Sequence, residues 1–138
     1  MEFVPSKRPT VSYPISVSIY GEDGQLIEIA FVAQYRRATR KELIDLNDAA
    51  VNQGLKNLGS PVDDVRADGS TVPAWPYPDD ESFIKDRMVG WTGVTNAAKE
   101  ALAFSEQALS EVLADYPELI APLFQGFFSA HQGARQKN

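Results

Sequence analysis

The C-terminal quarter of the chain, residues 104–138, concentrates large apolar side chains at helical spacing. They recur every three or four residues as Leu119, Ile120, Leu123, Phe124, Phe127 and Phe128. Such a pattern predicts a helix with one wide apolar face, which is stable only when another surface covers it. The stretch has no catalytic pattern. The question it raises is whether this face is covered by the protein's own domain or by another chain.

The composition is that of one soluble globular domain. The chain has 138 residues, enough for a sizeable core, and 43% of them are hydrophobic. It has no cysteine, which excludes disulfides, a thiol nucleophile and thiolate metal sites. The first residues do not follow a signal-peptide pattern, and no apolar run reaches the roughly 20 residues of a membrane span. We therefore expect a single domain, 1–138, in the cytoplasm and away from membranes.

The net charge of −6 is unevenly distributed along the chain. Residues 1–41 carry six basic and four acidic side chains, whereas residues 42–138 carry seven basic and fifteen acidic ones. The acidic bulk disfavours binding to nucleic acid, because phosphate contacts require positive charge. The exception is the basic cluster, which consists of Arg36, Arg37, Arg40 and Lys41. Two interpretations stay open: the cluster binds phosphate or an acidic partner, or it is a solvated strand end and helix start.

The segment 15–35 has the pattern of a β-hairpin. Apolar and polar residues alternate from Ile15 to Tyr20, which is the period of a half-buried strand. Residues 21–24 supply a turn with glycine at both ends, and a second β-rich segment follows up to Tyr35. A lone hairpin is only marginally stable. Either helices must therefore cover one of its faces, or it must gain a further strand.

A helix and a proline-rich loop are predicted next. Thr39 and Glu42 form a capping box at the start of a helix over 40–58. Proline, glycine and aspartate are frequent in 59–79, which predicts a loop rather than packed structure. Near the end of this loop, aromatic residues alternate with proline in Trp75–Pro78. This motif either packs back on the domain or serves as a polyproline-like ligand.

The remaining segment, 80–132, is predicted to form helices. The first begins at Asp79 or Asp80. Its apolar face consists of Phe83, Ile84, Met88 and Trp91, with a bend at the neighbouring glycines. Ser105 caps another helix, and Pro122 implies either a kink or a helix that begins near Ala121. Residues 133–138 are expected to fray.

The predicted fold class is therefore α+β. The sheet part is the N-terminal β-hairpin, and a mainly α-helical bundle with a proline-rich loop insertion follows it.

Catalytic and metal-binding patterns are scarce in this chain. His131 is its only histidine, and a lone histidine near a helix end is usually a cap or a partly buried surface residue. The aspartates in 63–68 and 79–81 do not match a calcium-binding loop. Asp45 and Asp48 are three residues apart on a helix face that is predicted to be exposed. We therefore expect no enzymatic activity, no metal and no other cofactor.

Several segments of the chain, taken in order, resemble a known family. They are residues 31–42, Trp91-Thr92-Gly93, residues 102–105, Leu109, Tyr116-Pro117 and the phenylalanine-rich terminal helix. Their order and spacing are similar to those of the tail assembly chaperones of long-tailed bacteriophages. The similarity spans most of the chain except 57–78, which looks like an insertion.

The resemblance implies a non-enzymatic role in the infected bacterial cell. Proteins of this family bind the tape-measure protein, a long, helical and aggregation-prone protein, and keep it soluble. They also help tail-tube subunits gather on it. The resemblance further implies that the chain acts in the host cytoplasm and is absent from the finished virion.

Two sets of residues become candidates for partner binding. The first is the terminal-helix face, which consists of Leu119, Leu123, Phe124, Phe127 and Phe128. This face is either partly core and partly a surface for a partner or for self-association, or it is entirely core. The second set is the basic cluster, for which we expect attraction of an acidic client segment.

Two other classes of function stay open. A small structural virion protein, at the head–tail joint or in the tail, would be present in purified particles as an interaction module. A nucleic-acid-binding accessory protein would use the basic cluster, but the acidic remainder of the chain argues against it.

Overall fold

The computed structural model describes residues 1–133 and has the predicted α+β fold. Its elements, in chain order, are β1 (Thr10–Tyr20), β2 (Leu26–Arg36), α1 (Arg40–Asn57), α2 (Asp80–Arg87), β3 (Met88–Thr92), α3 (Glu106–Asp115), a short 3₁₀ helix (Pro117–Leu119) and α4 (Ile120–Ala130). The predicted frayed tail falls almost entirely on residues 134–138, which lie outside the described residues. No helix within 1–133 is both long enough and apolar enough to cross a membrane.

The predicted N-terminal hairpin is confirmed. Strands β1 and β2 pair antiparallel from Thr10 opposite Arg36 to Tyr20 opposite Leu26. The hairpin therefore starts before Ile15, because β1 pairs with β2 from Thr10 onward. Gly24 closes the turn with a φ of 80°, a left-handed conformation that favours glycine.

The prediction of helices throughout 80–132 is wrong for β3. Helix α2 ends at Arg87, so Met88 and Trp91 belong to a strand that pairs antiparallel with β2. Gly90 opposes helix formation and leaves room for the Gln34 side chain of the paired strand, since a Cβ there would lie 2.6 Å from Gln34 Oε1. The partner that makes this segment a strand is distant in sequence, so local pattern cannot reveal it.

The hairpin is stabilised in both of the ways that the sequence left open. Strand β3 extends it into a sheet of order β1-β2-β3, and α4 packs against β1. Gly126 allows this close packing, because a Cβ there would lie 2.7 Å from the Tyr35 hydroxyl oxygen. Tyr35 in turn donates a hydrogen bond from its hydroxyl to the carbonyl oxygen of Leu123, at 2.7 Å. Helix α4 begins at Ile120, which places Pro122 in its first turn, where proline is tolerated.

The chain divides into two compact units. The first unit contains Met1–Arg37 and the chain from Asp79 onward, and the second contains Ala38–Pro78. The fully buried large side chains all belong to the first unit: Tyr35, Phe83, Ile84, Leu109, Leu113, Leu119, Leu123 and Phe127. The core of the first unit is thus built from the sheet and from α2, α3 and α4.

The second unit consists of α1 and an ordered loop. Thr39 caps α1 by accepting a hydrogen bond from the Glu42 N–H, as predicted. The loop differs from the prediction of a segment without packed structure. Val65 and Thr71 form an antiparallel bridge, and Arg66 forms salt bridges with α1. Its order comes from specific hydrogen bonds, which proline content does not reveal.

Candidate partner-binding surfaces

Helix α4 divides the predicted terminal-helix face into two parts. Leu119 and Leu123 are 1% exposed and Phe127 is not exposed at all, so these three side chains lie in the core. Phe124 and Phe128 are half-buried and remain accessible at the protein surface. Of the five side chains, only Phe124 and Phe128 are therefore partly exposed on the outer surface, whereas Leu119 and Leu123 line an apolar groove.

The accessible phenylalanines belong to an aromatic cluster, which we define as Phe83, Phe124, Phe127 and Phe128. Phe83 lies at its centre, with the ring centroids of the other three at 5.0, 5.1 and 5.8 Å. The Phe83 and Phe128 rings are stacked almost parallel, at 4°, whereas Phe127 meets Phe83 edge to face. Such contacts fix ring orientation. The cluster thus presents Phe124 and Phe128 on a rigid base.

A buried arginine, Arg87, packs against this cluster. Arg87, at the end of α2, is 5% exposed, and its guanidinium carbon lies 5.4 Å from the centroid of the Phe127 ring. Its Nε lies 3.9 Å from Asp86 Oδ2. A cation over an aromatic face is attracted by the ring quadrupole. Arg87 is not among the residues predicted from the sequence, because no neighbouring residue distinguishes it from a surface arginine.

The basic cluster is divided between the two units. In the first unit, Arg36 forms an exposed ion pair with Asp86 at 3.3 Å, and Arg37 is exposed. In the second unit, Arg40 and Lys41 are exposed in the first turn of α1. A helix N-terminus carries positive partial charge, so cations there do not stabilise the helix. Their presence is thus not explained by the stability of α1.

The carboxylates of Asp45 and Asp48 bind Arg66. Arg66 donates to Asp48 Oδ2 and Asp45 Oδ1, both at 2.8 Å. These hydrogen bonds, Asp48 first, raise the pKa of Arg66 above its usual value. The two aspartates therefore join α1 to the loop through Arg66 and are not arranged as an acid–base pair.

The other polar candidates also make local structural contacts. Asp79 caps α2 by accepting from the hydroxyl and the N–H of Ser82, and these bonds lower the pKa of Asp79. His131 Nδ1 lies 2.8 Å from the carbonyl oxygen of Phe127, at the end of α4. Within residues 1–133, no three His, Cys, Asp or Glu side chains lie close enough together to hold a metal ion.

Comparison with known families decides the class of the protein. A family model described as phage tail assembly chaperone matches residues 1–138, the whole chain. The chain belongs to this family. No curated protein and no solved structure matches it. The resemblance that the segments of the sequence indicated is thus confirmed.

Membership of this family indicates what kind of partner the surfaces of this chaperone meet. The family indicates a phage tail protein as the partner and favours a non-enzymatic role. On its described surface, the chaperone has two accessible phenylalanines and the exposed side chains of the basic cluster. It also has an apolar groove beside β2, whose lining includes Leu119 and Leu123 of the terminal-helix face together with residues that were not predicted as site residues. The one local signal for that groove was Trp91 between two glycines.

Proposed function

We propose that this tail assembly chaperone binds the tape-measure protein, keeps it soluble and helps recruit tail-tube subunits, without catalysing a reaction. The observation that carries the proposal is the family match over the whole chain. The chaperone acts in the cytoplasm of the bacterial host, needs no cofactor and is not retained in the mature virion.

The accessible edge of the aromatic cluster is the first proposed contact surface. Phe124 and Phe128 present large apolar area at low entropic cost, because their rings already pack against Phe83. The buried residues Leu119, Leu123 and Phe127 anchor α4 and contribute indirectly by fixing the two exposed rings. Rigid aromatic side chains of this kind often dominate the binding energy of an interface.

The basic cluster is the second proposed contact surface. Arg36, Arg37, Arg40 and Lys41 are all exposed, and they attract an acidic segment of the client. The remaining chain has excess negative charge, which keeps a chaperone–client complex soluble and limits self-association.

The experiment that tests the function is a pull-down from cells that co-express the chaperone with the tape-measure and tail-tube proteins of the same phage. We expect the wild-type chaperone to retain soluble tape-measure protein. If it retains neither protein and is found in purified particles instead, the proposal is wrong and a structural virion role replaces it.

The aromatic surface is tested in the same assay with the double variant Phe124→Ala, Phe128→Ala. We expect retention of the tape-measure protein to fall by about tenfold or more, as for an interface hot spot. The matched control is Phe3→Ala, since Phe3 is 81% exposed and outside the cluster. Circular dichroism of each purified variant must show a folded protein. Equal retention by a folded double variant would remove these rings from the interface.

The basic surface is tested through the dependence of binding on salt. Replacement of all four cations by glutamine should weaken binding at low salt and flatten its salt dependence. Lys7→Gln with Arg8→Gln is the control, because it removes two other exposed cations. Client binding that is independent of salt in the wild type would contradict the role of the basic cluster.

A further inference from the structure

An apolar groove lies in the first unit between β2 and α3. Its volume is about 360 Å³. It is lined by Glu28–Phe31 of β2, by Trp91 and Val94, by Leu102, and by the α3 face that includes Leu109, Val112 and Tyr116. Trp91 is fixed at its base, since its Nε1–H donates to the Leu102 carbonyl oxygen at 2.8 Å and its ring meets Phe104 edge to face.

The groove exists because β3 is much shorter than β2. The pairing of β3 with β2 runs only from Tyr35 to Val32. Gly93 then adopts a φ of 92° and turns the chain away from the sheet. The chain returns through a loop in which Leu102 N–H donates to Val94 O at 2.9 Å. The half of β2 from Leu26 to Phe31 therefore has no strand on its β3 side within the described residues.

The hairpin register shows which backbone groups face the groove. Gly21 N–H bonds Gln25 O, so hydrogen-bonded pairs alternate from there along β1 and β2. Pro14, which has no N–H, lies opposite Val32 in a non-bonded pair, as this alternation requires. The same alternation places Glu28 and Ala30 in non-bonded pairs. Their N–H and C=O groups therefore point away from β1 and toward the groove.

These backbone groups define what the groove can bind. Glu28 and Ala30 are two residues apart, so their backbone groups on this edge are separated by about 6.6 Å, which is the spacing of a β-ladder. An extended peptide could pair with this part of β2 and so extend the sheet beyond the end of β3. Its alternate side chains would then face α3 and the apolar lining, and the others would lie on the face that carries Glu28.

The charges around the groove indicate which charge the bound peptide should carry on the side chains that do not enter the groove. Glu28 is exposed on the outer face of the sheet. On α3, Glu111 and Asp115 are exposed and precede the lining residues Val112 and Tyr116 by one position. The sequence from Glu100 to Gly133 contains neither lysine nor arginine. Cross-strand pairing with Glu28 therefore favours Lys or Arg at the positions of the peptide that do not enter the groove.

We infer that this groove binds an extended client segment by β-strand addition to β2, and that the segment alternates apolar residues with Lys or Arg. The inference rests on the proposed chaperone function and names the chemistry of one client segment. The main-chain hydrogen bonds supply affinity without sequence specificity, and the groove selects the alternate apolar side chains. This segment is distinct from the acidic one that the basic cluster attracts.

The structure offers a matched pair of variants for the test. Ala30→Pro removes the N–H that points into the groove and leaves the hydrogen bonds between β1 and β2 intact. Ser18→Pro is the control, because Ser18 lies opposite Glu28 and its N–H points to the outer edge of β1. In the pull-down, we expect Ala30→Pro to weaken client retention by about three- to tenfold, the effect of a lost hydrogen bond. Ser18→Pro should bind like the wild type.

Amide hydrogen exchange in the wild-type complex provides a test that needs no substitution. We expect client binding to slow exchange at Glu28 and Ala30 by tenfold or more and to leave Ser16 and Ser18 unchanged. Fast exchange at Glu28 and Ala30 in a stable complex overturns the inference, whatever the proline variants do. In that case the chaperone function stands, because the client is still bound.

The charge of the occupant is tested by Glu28→Lys, with Glu22→Lys in the exposed turn as control. We expect only Glu28→Lys to weaken binding, and low salt to enlarge the difference. Equal binding by both variants overturns the basic character of the segment.

If Ala30→Pro instead abolishes self-association measured by sedimentation, the occupant is a second copy of this chain and the inference is wrong. If the wild type binds no tail protein at all, the proposed function and this inference both fail.

Discussion

The two compact units are stabilised by different interactions. In the first unit, α4 and α2 bring Phe83 and Phe127 together with Tyr35 in a core from which water is excluded. In the second unit, Arg66 joins the loop to two aspartates of α1, and all three side chains are partly accessible to solvent. Several apolar residues of the second unit stay exposed, namely Ile44, Val51, Leu55, Leu58 and Val65.

The difference between the units predicts how each responds to change. Apolar burial is not weakened by ionic screening and depends on shape, so the first unit should respond most to lost or added volume. Hydrogen bonds between partly exposed charges are screened by water and ions, so the second unit should respond most to salt and pH. The chaperone also has one tryptophan in each unit, Trp91 and Trp75, which allows the two to be followed separately.

The largest effect is expected for Phe127→Ala. The Phe127 ring is fully buried and meets the rings of Tyr35, Phe83 and Phe128. Its loss should lower the free energy of unfolding of the first unit by about 3–5 kcal/mol. Urea denaturation followed by Trp91 fluorescence in a Trp75→Phe background measures this change. Phe3→Ala, at an exposed site, should change it by less than about 0.5 kcal/mol. Similar values for both would contradict the aromatic core.

A pair of glycine substitutions should have opposite signs in the two units. In Gly126→Ala, the new Cβ would lie 2.7 Å from the Tyr35 hydroxyl and 3.0 Å from Ile15 Cδ1. Because Tyr35 is buried and cannot move aside, we expect a loss of about 1–3 kcal/mol. In Gly54→Ala, no atom lies within 4 Å of the new Cβ. Helix propensity should then stabilise α1 by about 0.5–1 kcal/mol. Thermal unfolding distinguishes the two, and stabilisation by both would show that α4 can move away from the sheet.

A smaller effect, with a distinct pH dependence, is expected for Tyr35→Phe. Burial raises the pKa of the Tyr35 hydroxyl well above its usual value of about 10. The unfolded chain therefore loses this proton first, so the stabilisation is complete below about pH 10 and is lost as the pH rises further. Near pH 7, loss of the hydrogen bond to Leu123 should cost about 0.5–1.5 kcal/mol. Urea denaturation between pH 7 and 11 should show a shallower alkaline loss in the variant, and parallel curves would contradict the burial of this hydroxyl.

The smallest effect is expected for Arg66→Met, and it should be confined to the second unit. The substitution leaves Asp45 and Asp48 near each other without their cation, so the loop should exchange its amide protons faster near Val65 and Thr71. Trp75 fluorescence in a Trp91→Phe background should shift, while the first unit keeps its stability.

In the wild type, acid should have a similar local effect on the loop of the second unit. Hydrogen bonds from Ser70 lower the pKa of Asp68, so its stabilisation is present above about pH 4 and is lost as the pH falls through the lowered pKa. High salt that leaves the wild-type loop unchanged would argue against an ionic clamp.

The parts of the fold that local chemistry determines could be predicted from the sequence. The period-2 pattern and the glycine turn gave the hairpin, and Thr39 and Ser105 cap the predicted helices. Pro122 limited where α4 could begin. Each of these features depends on residues within a few positions of one another, which is why sequence reasoning reached them.

Sequence patterns thus predicted the α+β class, the helix caps, the family and the presence of an apolar terminal helix. Tertiary packing made Met88–Thr92 a strand, and local pattern could not show this because its partner β2 lies more than fifty positions earlier. Tertiary packing also divided the terminal-helix face, burying Phe127 beside Tyr35 and leaving Phe124 and Phe128 accessible. A helical pattern shows that a face is apolar, but which of its side chains are covered depends on where the sheet and α2 pack against it.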